Sequence, residues 1–213
     1  QVHYVEDHLG GIMSKFGSSW HTKTTGFTLV ELMVSMAISL AVLAAIAGTF
    51  TAQTRQNSAE EQLGQMQQNV RGALDLMIRE IQMAGYKPAG GSFSGIQTSS
   101  ATTLRIKLDL DSSGVETDAT TDDISYSFDS STGLITRTLN NTGSSATLAD
   151  NVTAFSFTYL DANGASTTTN TAVRRITINI TARTAKPDPG YTINNGYRTY
   201  QITAAVTPPK LAL

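Results

Sequence analysis

Residues 26–31 have the sequence GFTLVE and stand at the start of an apolar segment that runs from Phe27 to Phe50. Glu31 is the only charged residue in that segment. A carboxylate within a bilayer costs about 2.5–3.5 kcal/mol at the centre of a helix, and less near the helix end. We therefore interpret Glu31 as a functional residue that requires a partner. The alternative is an ordinary signal anchor that happens to contain a glutamate.

The apolar segment is long enough to cross a membrane as a helix. Its 24 residues would extend about 36 Å, against a hydrocarbon core of about 30 Å. A secretory signal peptide has a shorter apolar core, of about 7–15 residues, and is cleaved after that core. We therefore predict a transmembrane helix at residues 27–50.

The residues before the apolar segment form a short basic leader. The first methionine is Met13, and residues 13–26 contain two lysines and no acidic residue. By the positive-inside rule, this basic side is cytoplasmic. We predict that translation starts at Met13 and that residues 1–26 are absent from the mature protein.

Composition excludes several classes of function for the chain after residue 26. The sequence has no cysteine, and its three histidines all precede residue 27. This excludes cysteine nucleophiles, histidine bases, Ser-His-Asp triads and the common zinc sites, so we predict that the protein is not an enzyme. A hydrolase that works with carboxylates alone is the alternative, and it would need a pocket with two converging acids. The net charge of −2 argues against a nucleic-acid-binding surface.

The helical pattern continues beyond the apolar segment. Apolar residues recur at spacings of three and four, as on one face of an amphipathic helix. These residues are Ala59, Leu63, Met66, Val70, Leu74, Met77, Ile81 and Ala84. Gly85 and Pro88 follow, as is typical of the end of a helix. We predict one long helix at residues 27–85, with its first half in the membrane.

The composition changes at residues 86–213, where Ser, Thr, Gly and Asn are abundant and β-branched or aromatic residues alternate with polar ones. This alternation predicts half-buried strands, and short connections favour an antiparallel sheet. The candidate strands are 103–109, 124–128, 134–139, 152–160, 173–182 and 198–206. The predicted fold class is α+β, with the long N-terminal helix packed on an antiparallel β-sheet.

A weak calcium candidate lies within the β-rich part. Asp109, Asp111 and Ser113 have the spacing of the first three ligands of a calcium-binding loop, and Gly114 follows. The twelfth position of such a loop is Thr120, where a bidentate glutamate is expected. An acidic, solvated hairpin tip is the alternative interpretation. No other cofactor site is predicted.

GFTLVE followed by about twenty apolar residues resembles the prepilin signal of type IV pilins and of type II secretion pseudopilins. The resemblance implies that prepilin peptidase cleaves between Gly26 and Phe27 and methylates the new amine of Phe27. Glu31 would then be the fifth residue of the mature chain. In that family, the glutamate pairs with the N-terminal amine of a neighbouring subunit during assembly.

Two further stretches are similar to a subgroup of that superfamily. Residues 76–86 (LMIREIQMAGY) and residues 173–183 (VRRITINITAR) resemble PilW-like minor pilins and pseudopilin J of type II secretion. The likeness to PilW-like minor pilins implies a structural minor pilin that helps to initiate type IV pilus assembly. Its partners would be other minor pilins, the major pilin and a tip adhesin. The likeness to pseudopilin J implies instead a protein that caps a pseudopilus in type II secretion.

The resemblance also implies a location. The protein would be a single-pass protein of the bacterial inner membrane, with residues 86–213 in the periplasm, before it enters a pilus or pseudopilus. A DNA-uptake receptor is a third interpretation, but it requires a basic face that the scattered Arg and Lys residues do not indicate.

Overall fold

The computed structural model describes residues 26–88, 93–110, 112, 123–140 and 142–211. Its helix α1 extends over Leu29–Gln82. The chain divides into two compact units, Gln1–Phe50 and Thr51–Leu213. The first is described from Gly26 onward.

In the first unit, α1 begins at Leu29, two residues later than the predicted start. All residues from 26 to 50 are exposed. An 18-residue window of the helix has a mean hydropathy of 2.4 and no buried residue, so α1 is long and apolar enough to cross a membrane. The helix contains no proline that would interrupt its hydrogen bonds.

In the second unit, α1 buries one apolar face against the β-rich part of the chain. The buried residues are Ala59, Met66, Val70, Ala73, Leu74, Met77 and Ile81. Leu63 is partly buried against the same core. The predicted apolar stripe is therefore confirmed, and it is the contact between the helix and the sheets.

The helix ends close to the predicted glycine. Gly85 has φ +79°, a left-handed conformation that suits a residue without a side chain. Its N–H donates to the carbonyl of Lys107 at 2.9 Å. This bond ties the end of the helix directly to the first sheet. The last helical residue is Gln82, three residues before the predicted limit of 85.

The described residues form eight strands in two antiparallel sheets. The first sheet has the strand order β1-β2-β3-β4-β5, and the second has the order β6-β7-β8. The strands of the first sheet are β1 Ile96–Ser99, β2 Thr103–Lys107, β3 Asp123–Asp129, β4 Leu134–Leu139 and β5 Ser144–Ala149. Those of the second are β6 Val152–Leu160, β7 Arg175–Arg183 and β8 Thr199–Val206. Short 3₁₀ turns occur at Asn170–Ala172, Ile193–Gly196 and Pro209–Leu211.

The α+β fold, with its long helix and antiparallel strands, is confirmed, and each of the six predicted strands is present. The split into two sheets arises after β5. Asn151 has φ +54°, and the N–H of Val152 donates to the carbonyl of Gly133 at 3.0 Å. The chain therefore leaves the first sheet at this turn, and does not fold back to pair with β5.

Alternating side chains of the second sheet complete the core. Ile176, Ile178 and Ile180 of β7 are fully buried. Phe155 and Phe157 of β6 are also buried, with ring centroids 4.8 Å apart in an edge-to-face arrangement. In both strands one face packs on the core and the other meets solvent, and this explains why apolar and polar residues alternate in their sequences.

Candidate assembly site

The start of α1 is capped by Thr28. The carbonyl of Thr28 accepts the first helical hydrogen bond from the N–H of Leu32 at 3.1 Å. The hydroxyl Oγ1 of Thr28 accepts a second bond from the N–H of Glu31 at 3.2 Å. Thr28 is therefore the N-cap residue, and it satisfies a backbone donor that the first turn leaves unpaired.

This cap places Glu31 at the third position of the helix. A carboxylate in the first turn interacts favourably with the helix dipole, by about 0.3–1 kcal/mol. Thr-x-x-Glu is also the sequence pattern of a capping box. The side chain of Glu31 is exposed, and no ion pair links it to another part of the described chain. Its charge is thus available to a group outside the subunit.

The capping role of Thr28 was missed by the sequence reasoning, although the Thr28–Glu31 spacing is a signal for it. Ser35 strengthens the same turn, because its hydroxyl donates to the carbonyl of Glu31 at 2.7 Å. The residues around the predicted functional glutamate therefore fix the backbone that carries it.

The apolar segment on both sides of Glu31 has an exposed surface. Its large apolar side chains, from Phe27 to Phe50, are between 52% and 80% exposed. A continuous apolar surface of this length requires lipid or other protein around it. A Cβ built at Gly48 would meet no atom within 4 Å, so no contact within the subunit requires a glycine there.

The predicted cleavage residues lie just before the helix. Gly26 and Phe27 are both exposed, and Phe27 is 80% exposed. The peptide bond between them therefore stands clear of the described part of the subunit. Cleavage at this bond and methylation of Phe27 stay predictions.

Only one residue of the calcium candidate, Asp109, lies within the described part of the chain. Asp109 is buried, and its N–H donates to the carbonyl of Tyr86 at 2.8 Å. Asp111 and Ser113 lie outside the described residues. Among the described residues, no three His, Cys, Asp or Glu side chains are grouped closely enough to hold a metal ion. The calcium site stays a prediction.

The carboxylate of Asp123 is held at the start of β3, the central strand of the first sheet. Arg105 donates to it through Nε at 2.8 Å and through Nη2 at 2.5 Å. Asn140 donates to its Oδ1 at 2.8 Å. Burial acts to raise the pKa of Asp123, but these hydrogen bonds and the charges of Arg105 and Lys107 outweigh burial and lower that pKa. This cluster fixes β2, β3 and the β4–β5 turn.

A second carboxylate, Asp188, shapes the loop between β7 and β8. It accepts hydrogen bonds from Arg198 Nη2 at 2.9 Å and from the N–H of Gly190 at 2.9 Å. These bonds lower the pKa of Asp188. The guanidinium of Arg198 also lies over the ring of Tyr191, 5.2 Å from its centroid. The loop therefore has a defined shape.

A cavity of about 420 Å³ lies between α1, the end of β5 and the end of β7. It contains one carboxylate, Asp150, whose Oδ1 accepts a hydrogen bond from Asn69 at 2.6 Å. A hydrolase that works with carboxylates alone needs two acids that converge on one substrate. This cavity does not provide such a pair.

Comparison with known proteins places these features in a family. The model of the family described as prepilin peptidase-dependent protein B matches residues 59–206. The prokaryotic N-terminal methylation motif matches residues 22–47, which contain the cap, Glu31 and most of the apolar segment. No curated protein matches the chain.

A type IV-like pilin from Thermus thermophilus has a similar structure, with a TM-score of 0.46 and 12% sequence identity. The match covers 68% of this chain and 97% of that pilin. The methylation motif and the family model together account for both the helix start and the β-rich part. Because the family model matches more than half of the chain, the chain belongs to the prepilin peptidase-dependent protein B family and is a type IV pilin-like protein.

Proposed function

We propose that the protein is a structural minor pilin that helps to initiate type IV pilus assembly. Prepilin peptidase cleaves the bond between Gly26 and Phe27 and methylates the amine of Phe27. The mature chain resides in the inner membrane as a single-pass protein with its β-rich part in the periplasm. It then joins other minor pilins and the major pilin in a complex at the tip, where a tip adhesin is a further partner.

The exposed apolar surface of α1 with one carboxylate near its start carries this proposal. Glu31 is exposed and has no ion pair within the described chain. Cleavage before Phe27 creates a positively charged amine four residues away. In a low-dielectric helix bundle, the Glu31 carboxylate of one subunit and the amine of its neighbour attract strongly, and lipid satisfies neither. The pair therefore sets the axial position of one helix against the next.

The family supports the processing step. The family is described as prepilin peptidase-dependent. The matched methylation motif spans residues 22–47 and so includes both sides of the proposed cleavage. The leader residues Lys15 and Lys23 favour a cytoplasmic leader, where the orientation rule places basic residues.

A pseudopilin J role in type II secretion is the alternative within the same superfamily. It uses the same cleavage, the same helix and the same glutamate, and the likeness of residues 76–86 and 173–183 is shared by both groups. A clean deletion in the native organism separates the two. Loss of surface pili with normal secretion of enzymes supports the minor pilin. Normal pili with blocked secretion assigns the protein to the pseudopilus.

Complementation makes this experiment specific. Wild-type protein should restore pili, and the Glu31→Ala variant should not. The Glu61→Ala variant is the matched control, because Glu61 is an exposed glutamate of the same helix that accepts a hydrogen bond from the side chain of Gln65 at 3.3 Å. Equal restoration by the Glu31 and Glu61 variants would contradict the assigned role of Glu31.

A further inference from the structure

β8 is an edge strand, because β7 is its one neighbour in the second sheet of the described chain. Its residues pair with β7 in a single register without a bulge. Thr199–Val206 contains no charged residue, proline or glycine. Natural proteins usually protect an exposed edge with charges, prolines or bulges, which discourage pairing with another chain. β8 has none of these protective features.

The hydrogen bonds of the sheet show which backbone groups of β8 point away from β7. Just before β8, the N–H of Thr184 donates to the carbonyl of Arg198 at 2.9 Å. In an antiparallel pair, residues that bond to the partner strand alternate with residues whose N–H and C=O point away from it. The outward residues of β8 are therefore Thr199, Gln201, Thr203 and Ala205. No backbone group elsewhere in the described chain bonds to their N–H or C=O groups.

The apolar face of β8 is incompletely covered. Its core-facing residues Tyr200, Ile202 and Ala204 are only partly buried. The residues opposite them on β7 are 0% exposed: Ala182, Ile180 and Ile178. Burial thus falls from complete to partial across one strand spacing of about 4.8 Å. A further strand with apolar side chains on this face would shield the three residues of β8 from water.

The other edge strands of the described sheets differ from β8. The outer edge of β6 is contacted by the β1–β2 turn, because the N–H of Phe157 donates to the carbonyl of Ala101 at 2.8 Å. In β1, the carbonyl of Gln97 accepts from the side chain of Asn170 at 2.7 Å. In β5, the first four residues of Ser144–Ala149 are exposed on both faces, so no half-buried apolar row borders that edge. Among the described edge strands, β8 combines outward backbone groups with such a row.

We propose that the outer edge of β8 binds an extended segment of a neighbouring subunit as an added β-strand. The groups from Thr199 to Ala205 extend over about 20 Å and fit a segment of about seven residues. The segment carries apolar side chains at alternate positions, which cover the core-facing residues of β8. It is uncharged on that face, because a charge there would be desolvated without a partner. The inference rests on the assembly role proposed above.

The edge of a second β8 is not the proposed occupant. Pairing of two identical edges is isologous, so it closes a dimer and leaves neither edge for a further subunit. A subunit that joins a growing assembly needs a heterologous contact, in which two different surfaces meet. The outer edge of β8 is therefore assigned to a different segment of the neighbouring subunit.

The test uses the full chain in detergent and a synthetic peptide, ITINITA, with the sequence of residues 176–182. This sequence comes from β7, which pairs with the other edge of β8, and it is uncharged with alternating apolar residues. Amide hydrogen exchange is followed by NMR. In the free protein, the outward residues of β8 should exchange faster than its even-numbered residues. The peptide should slow the outward amides about tenfold or more. The peptide IIITTNA has the same composition without the alternation, and it should give no protection.

Two substitutions at Gln201 form a matched pair. Gln201 is exposed, and its N–H is one of the outward groups. Gln201→Pro removes this N–H and leaves the bonds to β7, whereas Gln201→Ala removes the side chain and keeps the N–H. The proline variant should bind ITINITA about tenfold more weakly, and the alanine variant should bind it like the wild type. Circular dichroism shows whether each variant is folded, and the exchange measurement on the wild type requires no variant.

Several results would overturn the proposal. These are unchanged exchange of the outward amides, equal protection by ITINITA and IIITTNA, and equal binding by two folded Gln201 variants. A dimer of the full chain that protects the same amides would assign the edge to a second copy, and it would also contradict the proposal. The deletion experiment tests the assembly role separately. Loss of pili without protection by ITINITA contradicts the β8 edge alone. Protection by ITINITA with pili and secretion both normal after deletion contradicts the assembly role and, with it, the neighbouring subunit as occupant.

Discussion

Glu80 of the helix and Arg137 of β4 form a bidentate ion pair that joins the two elements. Arg137 donates through Nε to Oε2 at 2.9 Å and through Nη2 to Oε1 at 2.8 Å. The hydroxyl of Tyr126 also donates to Oε2. Burial, and then the negative charge of Glu80, raise the pKa of Tyr126 far above its usual range, so the phenol remains a donor at any physiological pH. The pair positions the end of α1 on the first sheet.

Glu80→Gln should destabilise the protein strongly. The side chains of Arg137 and Glu80 are only 16% and 19% exposed, so the substitution leaves a largely buried guanidinium without its counter-charge. We expect a loss of about 3 kcal/mol in the free energy of unfolding. Urea unfolding of the full chain in detergent measures it. Glu61→Gln, on an exposed part of the same helix, should change that free energy by less than about 0.5 kcal/mol. Equal effects of the two substitutions would show that the ion pair does not secure the helix.

The stability of the folded protein should fall at low pH, because Asp123 becomes protonated. Its pKa is lower in the folded protein than in the unfolded chain, where a value of about 3.9 is usual. This contribution is complete above the unfolded pKa and is lost as the pH falls through the folded pKa. Melting temperatures measured from neutral pH downward should therefore fall below about pH 4. The curve for Asp123→Asn should be flatter but still sloped, because Asp129 and Asp188 also have lowered pKa values. A variant curve parallel to that of the wild type would contradict the role of Asp123.

Two helical glycines should be replaceable with a gain in stability. Gly64 and Gly72 are exposed, and a Cβ at either position would meet no atom within 4 Å. Each substitution by alanine should stabilise the helix by about 0.5–1 kcal/mol, seen as a higher melting temperature. Gly95→Ala is the contrasting control. A Cβ at Gly95 would lie 2.6 Å from the backbone nitrogen of Gly85, so this variant should melt lower than the wild type. If Gly64→Ala or Gly72→Ala did not raise the melting temperature, the usual free-energy cost of glycine in a helix would be offset at that position.

Local patterns in the sequence predicted the features that depend on nearby residues. The apolar stripe from Ala59 to Ala84 predicted the buried face of α1, and the alternation in β6 and β7 predicted their half-buried strands. β5 was missed because Ser144–Ala149 is polar and exposed along most of its length, so it has no apolar alternation to detect. It is a strand because β4 offers its free edge to pair with it.

Long-range relationships were not predictable in the same way. Glu80 and Arg137 are 57 residues apart, and neither has a local pattern that points to the other. The split into two sheets depends on one turn at Asn151, whose φ of +54° is compatible with asparagine but is not dictated by it. Around Glu31, in contrast, the cap, the carboxylate and the apolar run are adjacent in sequence, so the candidate site was open to sequence reasoning.

The mature protein should begin with methylated Phe27. The exposed Gly26–Phe27 bond lies within the matched methylation motif. Mass spectrometry of the N-terminal peptide from membranes should show Phe27 with one added methyl group. The same peptide from cells that lack prepilin peptidase should retain residues before Gly26. An N-terminus elsewhere in the first of these samples would refute the proposed processing.

Substitutions of Thr28 and of Glu31 should affect filament incorporation differently, although both residues lie at the start of the same helix. Thr28→Ala removes the hydroxyl that accepts the Glu31 N–H at 3.2 Å, so it should weaken the cap by about 1 kcal/mol. It leaves the carboxylate that we assign to the neighbouring subunit's amine. Glu31→Ala removes that carboxylate and retains the cap. Both variants should insert into the membrane, because neither shortens the apolar segment. Filament incorporation should be nearly normal for the Thr28 variant and strongly impaired for the Glu31 variant. Equal impairment of both would mean that Glu31 acts through the stability of the first helical turn, and the intersubunit pair would then lose its support.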